Sequence, residues 1–203
     1  MQTADNRERT AMARVSSDDR RQQLVAAALA VLAEDGPAAV TTRRVAERAG
    51  APLATVHYAF RNKDELLQAT VDAVMTSFAT ALRESVRPER GLRDAVADCL
   101  RGYWGWVRDH EDLALASIEI LAGGLRAGGT ATAALAAAGD LLVGWFSEAV
   151  GHDPAPPRVP VADLARLTLV AAEGLTLIYL AHRDAVAAEA DLARIIAALQ
   201  AQL

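Results

Sequence analysis

The stretch TTRRVAERAGAPLATVHYAFRNK, Thr41 to Lys63, constrains this chain more than any other. Its first part predicts a short helix over Thr41–Ala49. A hydroxyl at Thr41 or Thr42 can accept from the orphan amides of the first turn, and Val45, Ala46 and Ala49 recur at helical spacing. Gly50 ends that helix, since glycine takes positive φ without steric cost. Pro52 opens a second helix, where its missing N–H goes unmissed. Val56 and Phe60, four apart, give this helix a buried edge and leave Leu53, Thr55, His57 and Tyr58 to face elsewhere. Two short helices joined by a glycine turn, the second with free polar and aromatic tips, form a helix-turn-helix. The second helix of such a unit fits a DNA major groove while the first braces it.

The match goes beyond a bare helix-turn-helix. Thr-Thr-Arg at 41–43, Val45-Ala46, Ala49-Gly50, His57-Tyr58-Ala59-Phe60, Arg61-Asn62-Lys63 and Asp64-Glu65-Leu66-Leu67 stand in near-continuous order. In these residues the segment Thr42–Leu67 resembles the DNA-binding domain of the TetR family of bacterial transcription regulators. Past Val74 the resemblance lies in helix pattern and length. It implies DNA contacts for Thr42, Arg43, Leu53, Ala54, Thr55, His57, Tyr58 and Lys63. Thr42, Tyr58 and Lys63 would take phosphates, which set register without carrying sequence information. Arg43 would take a phosphate or a base edge, and Leu53, Ala54 and Thr55 thymine methyls or base edges. Two positions depart from the family pattern. Pro52 replaces a residue that is usually polar, and His57 replaces the usual tyrosine, so that contact becomes pH-dependent. The alternative for each of these residues is plain solvated surface.

Net charge is −5, which on its face argues against a nucleic-acid partner. Its distribution reverses the argument. Residues 1–63 hold ten Lys/Arg against seven Asp/Glu, a net +3, whereas residues 64–203 hold eleven against nineteen, a net −8. That asymmetry suggests a basic, phosphate-facing head on an acidic body. With 52% apolar residues the chain can build a real core. A single cysteine, Cys99, excludes an internal disulfide and fits a reducing cytosol. It reads more simply as a small buried hydrophobe than as a reactive thiol. The polar, arginine-rich first residues lack a signal-peptide core. The most apolar run, Leu167–His182, carries Glu173 in its middle, so a cytoplasmic protein is expected.

Helical spacing organises the rest, and the expected architecture is all-α. A three-helix head is set on a larger ligand-binding and dimerisation bundle, with about nine helices in all. Residues 1–16 are expected to be a disordered arm in which Arg7, Arg9 and Arg14 can follow a DNA backbone. The head occupies residues 17–62 and the body 63–203. The first helix is predicted over Asp18–Glu34, capped by Ser17 or Asp18 and stopped by Gly36-Pro37. After the helix-turn-helix come helices over Asn62–Val86, Leu92–Arg108, Glu111–Leu125, Thr130–Val150, Val161–Arg183 and Ala187–Leu203. Gly123, Gly124, Gly128 and Gly129 are expected to form a flexible loop and Gly151–Pro160 a linker. The helix from Asn62 joins head to body. Lys63 stands at its start, where the dipole disfavours a cation, and so suits a nearby phosphate. Val161–Arg183 is apolar nearly all round and is expected to be buried on all faces. With Ala187–Leu203 it would pair with its mate in a four-helix homodimer interface, as the resemblance implies.

No enzymatic constellation stands out: there is no CxxC, HExxH, GxSxG or GxxxxGK[ST], and no cofactor is expected. His110 with Glu111 and Asp112 reads as a solvated helix junction rather than a metal cluster. Glu173 reads either as a paired structural acid or as a group that recognises a ligand. The large aromatics of the body are individually core candidates. The resemblance implies a small-molecule pocket among them, with Met75, Phe78, Tyr103, Trp104, Trp145 and Glu173 as candidates. The reading that follows is a dimeric, ligand-responsive repressor on a near-palindromic DNA operator. Its two recognition helices would lie roughly 34–36 Å apart, and a small apolar or amphipathic effector would release it. The competing reading is an all-α enzyme or ligand carrier that keeps a helix-turn-helix without operator binding.

Overall fold

A computed structural model describes residues 17–127 and 130–203. The expected arm at residues 1–16 and the loop glycines Gly128 and Gly129 lie outside the described residues. Among those described, nine α-helices and two short 3-10 turns alternate with loops, and no strand occurs. The chain divides into two compact units, one ending at Ala73 and the other spanning Val74–Leu203.

The first unit is built on α1 (Ser17–Asp35), α2 (Thr42–Arg48) and α3 (Leu53–Ala59). Leu24, Ala28, Val31 and Leu32 of α1 are buried, together with Val40, Val45, Val56, Phe60 and Leu66. Removing one large side chain of this kind from water contributes about 1.5–3 kcal/mol. Thr41 caps α2, its hydroxyl accepting from the Arg44 amide at 3.2 Å. Gly50 turns the chain at φ 59°. Pro52 stands just outside α3 rather than within its first turn. Its ψ of 141° is extended, and its carbonyl accepts from the Thr55 amide at 2.9 Å.

The division between the units falls inside α4 (Lys63–Ser85). Asn62 Oδ1 caps this helix by accepting from the Glu65 amide at 2.8 Å.

The second unit adds α5 (Leu92–Asp109), α6 (Glu111–Ala127), α7 (Thr130–Val150), α8 (Val161–His182) and α9 (Ala185–Gln200). At its centre is α5, which packs against α6, α7, α8 and α9 and buries Val96, Leu100, Trp104 and Val107. Gly91 precedes it at φ 87°. The Leu92 amide donates to Asp153 Oδ2 at 2.9 Å, so the proline-rich linker supplies the cap of α5. A Cβ on Gly91 would come within 2.4 Å of Asp153 Oδ1.

One sequence expectation fails in this unit. Gly123 and Gly124 lie within α6, not in a loop. Glycine costs a helix interior about 1 kcal/mol, which the packing of α6 on α5, α7 and α8 offsets. Within one copy, α8 is covered on one side. Leu167, Val170, Leu177 and Ile178 are exposed, the last three by more than half, because α5, α6, α7 and α9 cover only its other side. By length and composition α8 could cross a membrane, but it carries Glu173 and packs among four helices of the unit.

Candidate functional site

Two sets of residues matter, one in each unit. In the first, α3 buries Val56 and turns Leu53, Ala54, His57 and Tyr58 to solvent, with Thr55 half-buried. Tyr58 is 89% exposed, far more than a core aromatic allows. The seven-residue helix is therefore anchored on one edge and bare on the other.

Arg21 of α1 holds the far end of α3. Its guanidinium donates to the Ala59 carbonyl at 2.6 Å and lies 4.2 Å over the Phe60 ring. It also reaches Glu65 Oε1 at 3.5 Å. Sequence reasoning missed this residue, since 38 positions separate it from Ala59 and no periodic signal links them.

The cations of this unit fall into two groups. Arg43 pairs with Glu47 at 3.3 Å, Arg44 with Asp35 at 3.0 Å, Arg48 with Glu34 at 2.6 Å and Arg61 with Glu65 at 3.0 Å. Arg44 and Arg48 thereby tie α2 to the end of α1. Lys63 is exposed and has no hydrogen-bond or ion-pair partner among the described residues. An exposed pair such as Arg43–Glu47 is worth about 0–1 kcal/mol, so a phosphate can displace the carboxylate. The Arg61 backbone N–H and then its side chain hold the Glu65 carboxyl below its ordinary pKa. Thr42 sits half-buried at the first position of α2, near the amides that end there.

In the second unit, side chains from α4, α5, α6, α7 and α8 enclose a cavity of about 110 Å³. Met75, Phe78, Tyr103 and Glu173 line it, four of the six pocket candidates. Trp106, another of the body's large aromatics, lines it too. Phe78 meets Tyr103 edge-on at 5.3 Å and Trp106 at 5.7 Å. Trp145 lines a small adjoining void of about 20 Å³ that shares Phe78 and Tyr103 with the first. Trp104 lines neither. It packs edge-on against Tyr179 at 4.8 Å, with the Arg108 guanidinium 5.7 Å from its ring.

The polar groups in the cavity wall are nearly all committed. The Trp106 indole N–H donates to Ser77 Oγ at 3.2 Å, and Ser117 donates to the Leu113 carbonyl at 2.7 Å. Thr176 has one hydroxyl hydrogen and lies 3.0 Å from both the Ala172 carbonyl and the Tyr103 hydroxyl. That one hydrogen serves the Ala172 carbonyl or the Tyr103 hydroxyl. Burial pushes the Tyr103 pKa up, and the Glu173 charge adds to the shift. Glu173 is the exception. It makes no hydrogen bond or ion pair among the described residues, and burial raises its pKa above the usual carboxylate value.

The remaining candidates are absorbed by structure. His110 Nδ1 donates to the Trp106 carbonyl at 3.0 Å, and its ring stacks on Trp106. The two carboxylate oxygens of Glu111 are taken by the Tyr179 hydroxyl and the Arg183 guanidinium. Burial pushes the Cys99 thiol up to about 12, which keeps it from forming the nucleophilic thiolate.

Residues 24–70 match the family profile described as bacterial regulatory proteins, tetR family. The chain is 35% identical over 107 residues to the HTH-type nicotine-responsive transcriptional repressor HdnoR of Paenarthrobacter nicotinovorans. That match takes in 53% of this chain and 55% of the relative. It is 38% identical over 63 residues to the HTH-type transcriptional regulator BetI 2 of Chromohalobacter salexigens, covering 31% of this chain and 30% of that protein. The chain thus spans about half the length, or less, of these curated relatives. A TetR transcription regulator from Haloarcula marismortui shares the fold with a TM-score of 0.76 at 19% identity, over 92% of this chain and 99% of that one. Residues 24–70 thus carry a helix-turn-helix head that matches the tetR family profile, and the chain shares the fold of a solved TetR transcription regulator.

Proposed function

We propose that the protein is a cytoplasmic, ligand-responsive transcriptional repressor that binds a near-palindromic operator as a homodimer and is released by a small effector. The observation that carries this reading is α3, a helix pinned by Val56 and Arg21 whose other edge offers Leu53, Ala54, His57 and Tyr58 to a partner. Such an edge suits a major groove, and Lys63 offers an uncompensated charge for a phosphate.

Two further features support it. On α8, Leu167, Val170, Gly174, Leu177, Ile178 and Ala181 are exposed at a spacing of three or four. On α9, Val186, Ala190, Ala193 and Ala197 repeat the pattern with small side chains. Two adjacent apolar stripes suit a symmetric mate, as a twofold contact uses the same patch on both copies. The cavity below α8 suits a small molecule, and the relative from Paenarthrobacter is itself a ligand-responsive repressor.

The test is a mobility shift with a duplex from the gene's own promoter against a random duplex of equal length. Binding the promoter at least about a hundredfold more tightly supports the reading. Equal binding of both duplexes sinks it. Selection of bound DNA from a random pool then reads the operator, and its two half-sites should be inverted copies.

A further inference from the structure

We propose that the body cavity takes a small organic cation, an amine or quaternary ammonium of about one aromatic ring, with its charge on the Glu173 carboxylate and its apolar part against Phe78, Tyr103 and Trp106. The proposal rests on the reading of the body as a ligand-binding unit and names the class of ligand.

The argument is one of charge balance along the wall of a partly open cavity. Glu173 lies in the middle of α8 and lines the cavity, and the described lining includes no Lys, Arg or His. Each lining side chain that can donate already has a partner in the protein: Trp106 has Ser77, Ser117 has the Leu113 carbonyl, and Thr176 has the Ala172 carbonyl and Tyr103. A partly desolvated carboxylate without a counter-charge or donor is costly, and proteins normally pair it or neutralise it. Here the raised Glu173 pKa is the consequence.

The three classes of ligand then separate. A neutral apolar molecule would desolvate the carboxylate further and deepen the penalty. An anion would be repelled. A cation supplies the missing charge and, if it is an amine, the missing donor as well. Three aromatic rings in the same wall add attraction for a cation within about 6 Å of a ring face.

Size narrows the class further. A cavity of about 110 Å³ with an adjoining apolar void of about 20 Å³ is somewhat smaller than the roughly 150 Å³ that accommodates benzene. One ring or a compact branched ammonium is therefore the upper bound without rearrangement.

The experiment is calorimetric titration of the full chain with benzylammonium chloride and, separately, with benzyl alcohol, at constant ionic strength. The two probes have nearly the same shape and differ in charge. The expected result is that benzylammonium binds at least about tenfold more tightly. In Glu173→Gln that preference should fall to within about twofold. Equal or tighter binding of benzyl alcohol to the unmodified protein overturns the cation proposal while leaving a ligand cavity in place. An unchanged preference in Glu173→Gln overturns the role of Glu173 and moves the cation elsewhere on the acidic body. Binding of neither probe overturns the ligand-cavity reading itself, and this inference with it. The comparison on unmodified protein does not depend on how well the variant folds.

Discussion

The head turns its distinctive residues outward and the body turns its own inward. Leu53, Ala54, His57 and Tyr58 lie on one seven-residue helix and carry almost none of the packing. Met75, Phe78, Tyr103, Trp106 and Glu173 come from three helices and carry much of it. The difference teaches where function and stability are separable. On α3 a side chain can be removed with little effect on the fold. Around the cavity every change alters both, because the same atoms fill the core and shape the site.

The sharpest way to break this comparison is at the hidden edge of the head. Phe60 is fully buried and lies under the Arg21 guanidinium. Phe60→Ala should destabilise the head by about 3–5 kcal/mol and abolish DNA binding. Limited proteolysis and a denaturant titration would show it. An unchanged midpoint would mean that α3 is not held by its buried edge.

Next in size are the two left-handed glycines. Gly50→Ala meets open space and bears only the φ penalty, about 1–2 kcal/mol. Gly91→Ala bears that penalty and also pushes Asp153 off the cap of α5, for a total of about 2–3 kcal/mol. If thermal melting ranks the two substitutions the other way round, the linker does not cap α5.

A smaller effect of opposite sign is expected at Glu173. Its folded-state pKa is raised by burial. Its stabilising contribution is therefore fully present below the unfolded carboxylate pKa and is lost as pH rises through the folded one. Glu173→Gln should stabilise the ligand-free protein at neutral pH by about 1 kcal/mol, roughly 2–4 °C in Tm, and flatten the dependence on the acid side. Destabilisation at neutral pH would mean that Glu173 has a partner in the fold.

The smallest changes in stability belong to the exposed edge. Tyr58→Ala and Lys63→Ala should each alter stability by less than about 0.5 kcal/mol. Tyr58→Ala should nevertheless weaken operator binding by about tenfold. Lys63→Ala should weaken binding to all sequences alike and reduce the salt slope by about one unit. A changed base preference in Lys63→Ala would contradict its phosphate role.

Much of the head was legible because its determinants are local. A threonine cap, a glycine at positive φ and an apolar pair four apart act within one or two turns, and α2 and α3 fall where those signals put them. Pro52 moved by one position, since a fixed φ suits the residue before a helix as well as the first one within it. In the body the helices were legible, and Thr130–Val150 keeps its predicted bounds, but the end of α6 was not. α6 runs through Gly123 and Gly124 because neighbouring helices hold it there. The resemblance implies pocket roles for Trp104 and Trp145 alike. Packing put Trp145 beside a void and Trp104 against Tyr179.

The sequence by itself determined that the chain is helical, that its charge divides near Lys63, and that α3 has one buried edge and one free edge. These follow from spacing and residue type within a few turns. Tertiary structure alone decided that Arg21 grips the end of α3, that Glu173 faces a cavity whose donor side chains already have partners, and that one side of α8 stays bare within one copy. Those outcomes depend on which helices come together across long stretches of chain, and a side chain's partners are fixed by distance in space.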